Sequence, residues 1–142
     1  MVKRDYPRAP IVGIGIVCLR GEDVLLIRRG KPPREGSWSL PGGRQKLGET
    51  VREAALRELV QETGVTAEIG PLLDVVDSIT PDDRGRVHYH YTLVDFAAFW
   101  RSGEPRPGGD AADVRWFSPA ALEGLELWRE TRRVIALARA LP

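Results

Sequence analysis

The run Gly43–Val65, GRQKLGETVREAALRELVQETGV, constrains this chain more than any other. Thr50 with Glu53 three residues later is a capping box: the Glu53 amide donates to the hydroxyl, and the carboxylate reaches back to the Thr50 amide. Gly64 stands where a left-handed C-terminal cap is wanted. The spacing therefore predicts a helix over Val51–Thr63. At about 100° per residue, Leu56, Leu59, Val60 and Thr63 share one side. Glu58, Gln61 and Glu62 share nearly the opposite side, beside Ala54 and Ala55, so both acids are expected to face away from the core. Three oxygen-bearing side chains on one stripe can converge on a hard cation such as Mg²⁺. Glu58 and Glu62 are like charges at i,i+4, unfavourable by a few tenths of a kcal/mol until a divalent cation reverses the sign. The competing reading is an amphipathic surface helix with a solvated acidic face.

The spacing of the whole run bears on that choice. It resembles the signature of the Nudix hydrolases: Gly, five residues, Glu, seven residues, Arg-Glu, an aliphatic residue, any residue, Glu-Glu, any residue, Gly, an aliphatic residue. Gly43, Glu49, Arg57, Glu58, Leu59, Glu62, Gly64 and Val65 stand at those positions. Gln61 departs from it, replacing a charged oxygen ligand by a neutral one, which bears on secondary metal ions more than on the primary one. The resemblance implies an α+β domain, a Nudix-type α/β/α sandwich around a mixed sheet, over about Pro10–Leu141. It implies Mg²⁺ as cofactor, with Mn²⁺ as a substitute, and a metal-facing set of Gly43 through its carbonyl, Glu49, Glu58, Gln61 and Glu62. It implies hydrolysis of a nucleoside diphosphate linked to another group. Glu58 and Glu62 would act at the metal, and Arg57, off the acidic stripe, would hold a carboxylate such as Glu49. The general base is either a glutamate of this run or an acid on a distal loop, where Asp110 is the candidate and Asp113 and Glu104 the alternatives. The competing reading makes all three loop solubilisers.

Composition is consistent with a small soluble enzyme. The 142 residues suit one domain, and a formal net charge of +1 gives no global field calling for nucleic acid or a membrane. Cys18, the single cysteine, lies in an apolar run and reads as a buried thiol; an intrachain disulfide framework is impossible, which suits a cytoplasmic protein. No apolar stretch reaches membrane-spanning length.

In chain order, residues 1–9 read as a frayed arm. Ile11–Leu19 and Val24–Arg29 read as a hairpin about Gly21-Glu22-Asp23. Arg28 and Arg29 point to opposite faces of the second strand, and Arg28 is the substrate candidate by similarity. Residues 30–36 form a loop, and Trp38 is a core anchor. Val65–Ile79 reads as one or two strands broken near Gly70-Pro71, followed by a turn from Pro81. Val87–Trp100 is a central strand; His88-x-His90 on it lacks a third soft ligand for zinc. Ser102–Ala112 is a loop, Val114–Phe117 a strand, and Glu126–Leu141 the terminal helix.

Within the resembled family, ADP-ribose hydrolases often carry a proline some fifteen or sixteen positions past the run. Pro81 stands sixteen past Val65 and could shape a slot for the terminal ribose. ADP-ribose or a related sugar nucleotide is therefore the expected small-molecule partner, and many relatives dimerise, so a homodimer is admitted. The alternatives are a nucleoside triphosphate pyrophosphohydrolase, a nucleotide-sensing domain that has lost turnover, and a purely structural protein.

Overall fold

The computed structural model describes residues 3–32 and 34–142; Met1 and Val2 of the expected arm, and Pro33 of the expected loop, lie outside the described residues. The strands are β1 (Ile11–Arg20), β2 (Asp23–Arg29), β3 (Trp38–Ser39), β4 (Gly42–Arg44), β5 (Thr66–Pro81), β6 (Val87–Ser102) and β7 (Ala111–Phe117). The helices are α1 (Val51–Thr63), α2 (Pro119–Glu123) and α3 (Arg129–Arg139). Among the described residues the strands form one seven-stranded sheet in the order β3-β2-β1-β6-β5, with β4 also on β1 and β7 on β2. β1 and β6 run parallel from Ile11 opposite Tyr91 to Leu19 opposite Phe99. The remaining pairings are antiparallel, so the sheet is mixed.

β1 is apolar on both faces because both are covered. Ile14, Ile16 and Cys18 enter the layer under α1 with Leu25, Ile27 and Leu59. Val17 and Leu19 enter the layer under α2 and α3 with Leu122, Val134 and Ile135. Burial pushes the Cys18 thiol up to about 12, which makes it an inert core group. Trp38 packs beside the second layer, edge-on to Phe117 at 5.0 Å. The result is a helix–sheet–helix sandwich of the α+β class.

α1 has the expected bounds. The Glu53 amide donates to Thr50 Oγ1 and the Thr50 amide to Glu53 Oε1, both at 3.1 Å. Gly64 closes the helix at φ 72°, its amide donating to the Val60 carbonyl. The inward face keeps Leu59 and Thr63 of the expected side but is turned away from Leu56 and Val60. Ala54, Ala55, Leu59, Glu62 and Thr63 are buried, while Leu56 and Val60 are exposed. The small Ala54 and Ala55 let the helix axis approach the sheet closely, and the helix lies on that face rather than on its bulkier leucine side.

β5 is one strand with the expected irregularity near Gly70-Pro71: its register slips between Ile69 and Asp74, where Pro71 has no amide to give the ladder. Two other expectations are revised. The terminal helix begins at Arg129, leaving Leu127 and Trp128 as an extended approach. The described part of the N-terminal arm is docked, not frayed. The Tyr6 amide donates to His88 O at 2.7 Å, its hydroxyl donates to Asp82 Oδ2 at 2.8 Å, and its ring stacks on His88 at 4.6 Å.

Removing the α1 cap tests the helix assignment. Thr50→Ala should lower unfolding stability by about 1 kcal/mol in urea titration, and Thr50→Ser should keep most of it.

Candidate active site

The site starts where β1 leaves β2. Over Gly13–Gly15, β1 is flanked by β4 and β6 instead. β4 carries Gly42 and Gly43, and α1 closes over them. A Cβ on Gly43 would lie 2.4 Å from Glu58 Cδ, so a glycine is needed for the Glu58 carboxylate to rest on this backbone. Glu62 Oε1 accepts the Gly42 amide at 2.8 Å. On its other side, Gly108 N donates to the Glu62 carbonyl at 3.0 Å. Glu62 is therefore only 7% exposed, which corrects the expectation that both acids face away from the core. Glu58 is half-buried and Gln61 exposed. Burial, with the Glu58 and Asp110 charges adding, pushes the Glu62 carboxyl up to about 7 against the opposing Gly42 bond and Arg29.

Arg57 organises the oxygens around this pair. Its Nε and Nη2 donate to both Glu49 oxygens at 2.6 and 2.9 Å. Nη1 donates to Glu58 Oε1 at 2.5 Å and Gln61 Oε1 at 3.1 Å, and Nη2 also donates to the Arg44 carbonyl at 3.0 Å. The fork suits a planar guanidinium and no other cation. Hydrogen bonding to Arg57 holds the Glu49 carboxyl down at about 2.

A cleft of about 1970 Å³ opens over these groups. It gathers Gly43, Glu49, Glu58, Gln61, Glu62 and Asp110. Asp110 sits at the rim, paired with Lys31 at 3.0 Å and Arg4 at 3.1 Å, and those partners keep it ionised. Asp113 pairs with Arg115 at 2.9 Å and lies in β7; Glu104 is exposed; neither lines the cleft.

Two expected substrate residues lie elsewhere. Arg28 is exposed, between Trp38 and Asp113 in the ladder, whereas Arg29 lines the cleft and feels the Glu62 charge. Alternation along β2 required a choice between neighbours, and it is Arg29 and not Arg28 that the fold turns to the cleft. Pro81 is exposed at the end of β5, while Ser78 and Thr80 on the alternate face line the cleft. Sequence reading missed Trp128 because the helix was started too early, and Asp95 because it reads as one polar residue in a strand.

A divalent ion fits the donor set. Two carboxylates, a main-chain carbonyl at Gly43 and the Gln61 amide oxygen are hard ligands. Among the described residues no three acidic, imidazole or thiol side chains already converge at ligand spacing. Glu58 is turned onto Arg57 and Glu62 onto the Gly42 amide, and both would have to be shared.

An acidic helix seated on a glycine strand at the split of a mixed sheet, inside a two-layer helical cover, defines the structural class. The chain belongs to the Nudix family: the NUDIX domain matches residues 9–138. It is 35% identical over 108 residues to an ADP-ribose pyrophosphatase of Methanocaldococcus jannaschii, covering 76% of this chain and 62% of that protein. It thus spans less than two thirds of that relative's length. A putative 8-oxo-dGTP diphosphatase 2 of Mycobacterium tuberculosis is 35% identical over 128 residues, covering 87% of this chain and 84% of that protein. The crystal structure of a MutT NUDIX hydrolase from Burkholderia pseudomallei superposes with TM-score 0.77 at 34% identity, over 92% of this chain and 98% of that one.

The buried Glu62 makes a stability prediction. Its folded value of about 7 lies above the ordinary 4.5, so between those limits the folded state binds the extra proton. Stability in chelator should therefore fall as pH rises from 4.5 to 7, by roughly 2–3 kcal/mol from this group. Glu62→Gln should remove that part of the slope in denaturant titrations across the window, and an unchanged slope would refute the assignment.

Proposed function

We propose that this protein is a Mg²⁺-dependent pyrophosphohydrolase acting on ADP-ribose or a related sugar nucleotide. The observation that carries the reading is the seating of Glu58 and Glu62 on the Gly42–Gly43 strand, at one end of a cleft long enough for both halves of such a substrate. Typical small-ligand pockets run to about 1,000 Å³; this one is about 1970 Å³. A bound divalent ion would neutralise phosphate oxygens and lower the pKa of a coordinated water. Mn²⁺ would substitute for Mg²⁺ through the same oxygen donors.

The chain's own residues do the rest. Arg57 fixes Glu49 and the near oxygen of Glu58, so neither must be reoriented when substrate arrives. Arg29, Lys31 and Lys46 line the same cleft and set a positive potential for a diphosphate. Asp110 is the acceptor proposed for the proton of the attacking water, once substrate phosphates draw Lys31 and Arg4 away from it. Glu62 is the competing base, since it faces the same cleft. The Methanocaldococcus relative supports the sugar nucleotide. The mycobacterial relative, which the chain covers more fully, favours a nucleoside triphosphate as the second reading.

Glu58→Gln and Glu62→Gln should each lower kcat at least about 100-fold at limiting Mg²⁺. Full turnover by either would remove the metal assignment. Gln61→Glu should bind an additional ion more tightly, or no differently, in calorimetric titration and keep its activity.

Across ADP-ribose, NADH, a dinucleoside polyphosphate and the common and oxidised deoxynucleoside triphosphates, ADP-ribose should lead in kcat/KM. A triphosphate leading by tenfold, about 1.4 kcal/mol of transition-state binding, would overturn the substrate assignment.

A further inference from the structure

The cleft continues away from the glutamates along the sheet floor. β4, β1 and β6 are consecutive there, with Gly42 opposite Gly15 and Gly15 opposite Asp95. Two strand steps separate Asp95 from Gly42, roughly 10 Å, a distance a nucleoside bridges. The floor between them is bare because β1 shows Gly13 and Gly15 on this face. A Cβ on Gly15 would lie 2.2 Å from Asp95 Oδ1 and 3.4 Å from Leu40 Cδ1, so the carboxylate leans over Gly15 into the space a side chain would fill.

Asp95 is 4% exposed and lines the cleft. Among the described residues no donor hydrogen-bonds to its carboxylate. The cation near it, Arg133, is committed to Asp74 and Glu130, both at 2.7 Å. The residue is largely buried, but its carboxylate oxygens are not sealed in the core and remain open to the cleft, where a donor on a bound molecule can reach them. Burial raises its pKa, with the Asp74 and Glu130 charges adding and Arg133 opposing. The first turn of α3 covers the same end. Thr131, 7% exposed, lines the cleft there, and Arg34 lies over the Trp128 ring at 4.9 Å.

We propose that Asp95 is a specificity-determining residue that accepts a hydrogen bond from the exocyclic amino group of the substrate's nucleobase. This rests on the reading of the substrate as a nucleotide. A carboxylate offers only acceptors, so it takes an amino group and repels the keto oxygen of a deaminated base. Discrimination of this kind is large, because the wrong base leaves a buried polar group unpaired.

The test measures binding in chelator, so it does not depend on turnover. Calorimetry compares AMP, GMP and IMP, the last lacking both exocyclic amines. Wild-type protein should bind AMP or GMP at least tenfold more tightly than IMP. Asp95→Asn, whose amide can also donate to a keto oxygen, should bring the preference within threefold. Gly15→Ala, which displaces the carboxylate without changing it, should reduce the preference as well. Thermal melts confirm that each variant is folded. Equal affinity for all three nucleotides in the wild type, or an unchanged preference in folded Asp95→Asn, would overturn the proposal. A uniform weakening of all three by Asp95→Asn, with the preference intact, would show a structural role only and would also overturn it. Hydrolysis of ADP-ribose against inosine diphosphate ribose then tests the catalytic reading separately. Absence of turnover with intact amino-base preference would refute the activity and leave Asp95 standing.

Discussion

One guanidinium holds the glutamate end of the cleft together. Arg57 belongs to α1, but three of its hydrogen bonds leave the helix, two to the Glu49 carboxylate and one to the Arg44 carbonyl, while the other two reach the Glu58 and Gln61 side chains of the helix itself. The loop between β4 and α1 has no regular structure of its own; the Arg57 fork fixes its path together with the bonds that Gln45 and Lys46 make to Glu49 and Val12. It also sets the sign of the local field. Glu49 precedes α1 and Glu58 lies on it, and the Arg57 cation between them offsets their repulsion before any metal arrives. A lysine would supply the charge without the geometry, since an ammonium cannot grip both Glu49 oxygens in a plane.

The second constraint is the absence of side chains. Gly42 could not carry a Cβ, which would lie 1.8 Å from the Ile14 carbonyl oxygen, and Gly43 could not carry one against Glu58. Gly13 and Gly15 are similarly closed by Leu93 and Asp95. The sheet floor between the glutamates and Asp95 therefore carries glycine at Gly42 and Gly15, which keeps it low. Large aromatic and charged groups come from the surrounding loops and from the docked arm, whose Arg4 reaches Asp110. A rigid floor with adjustable walls lets one fold serve different substrates, in keeping with relatives that carry different substrate names.

Much of this was legible from local chemistry. The Thr50–Glu53 box, the Gly64 cap and the Arg57–Glu49 pair are interactions over a few residues, and sequence spacing determines them. What failed depended on distant partners. The buried side of α1 was misjudged because hydrophobicity argued for Leu56 and Val60, while the close approach of the sheet selected Ala54 and Ala55. Glu62 was placed in solvent because nothing near it in sequence announces the 108–110 loop that covers it. Arg28 was preferred to Arg29 because a strand shows which neighbours alternate but not which face meets the cleft. The arm was read as frayed because Tyr6 finds its partners, Asp82 and His88, some eighty positions away.

The two ends of the cleft ask for opposite things. At one end, Glu58 and Glu62 are carboxylates whose repulsion a divalent cation relieves. At the other, Asp95 is a carboxylate set against the Gly15 backbone and Leu40, with the neighbouring Arg133 committed to Asp74 and Glu130. On the proposed reading, a neutral donor such as an amino group satisfies it. A metal–nucleotide complex provides both kinds of group on one scaffold, a cation at its phosphates and an N–H donor at its base. Phosphates alone or a base alone would leave one buried acid unrelieved. On the proposed reading, selectivity for a nucleotide arises as a conjunction of two separate electrostatic demands. Each demand is modest, and the bare strand between them holds the spacing at which both can be met by one molecule.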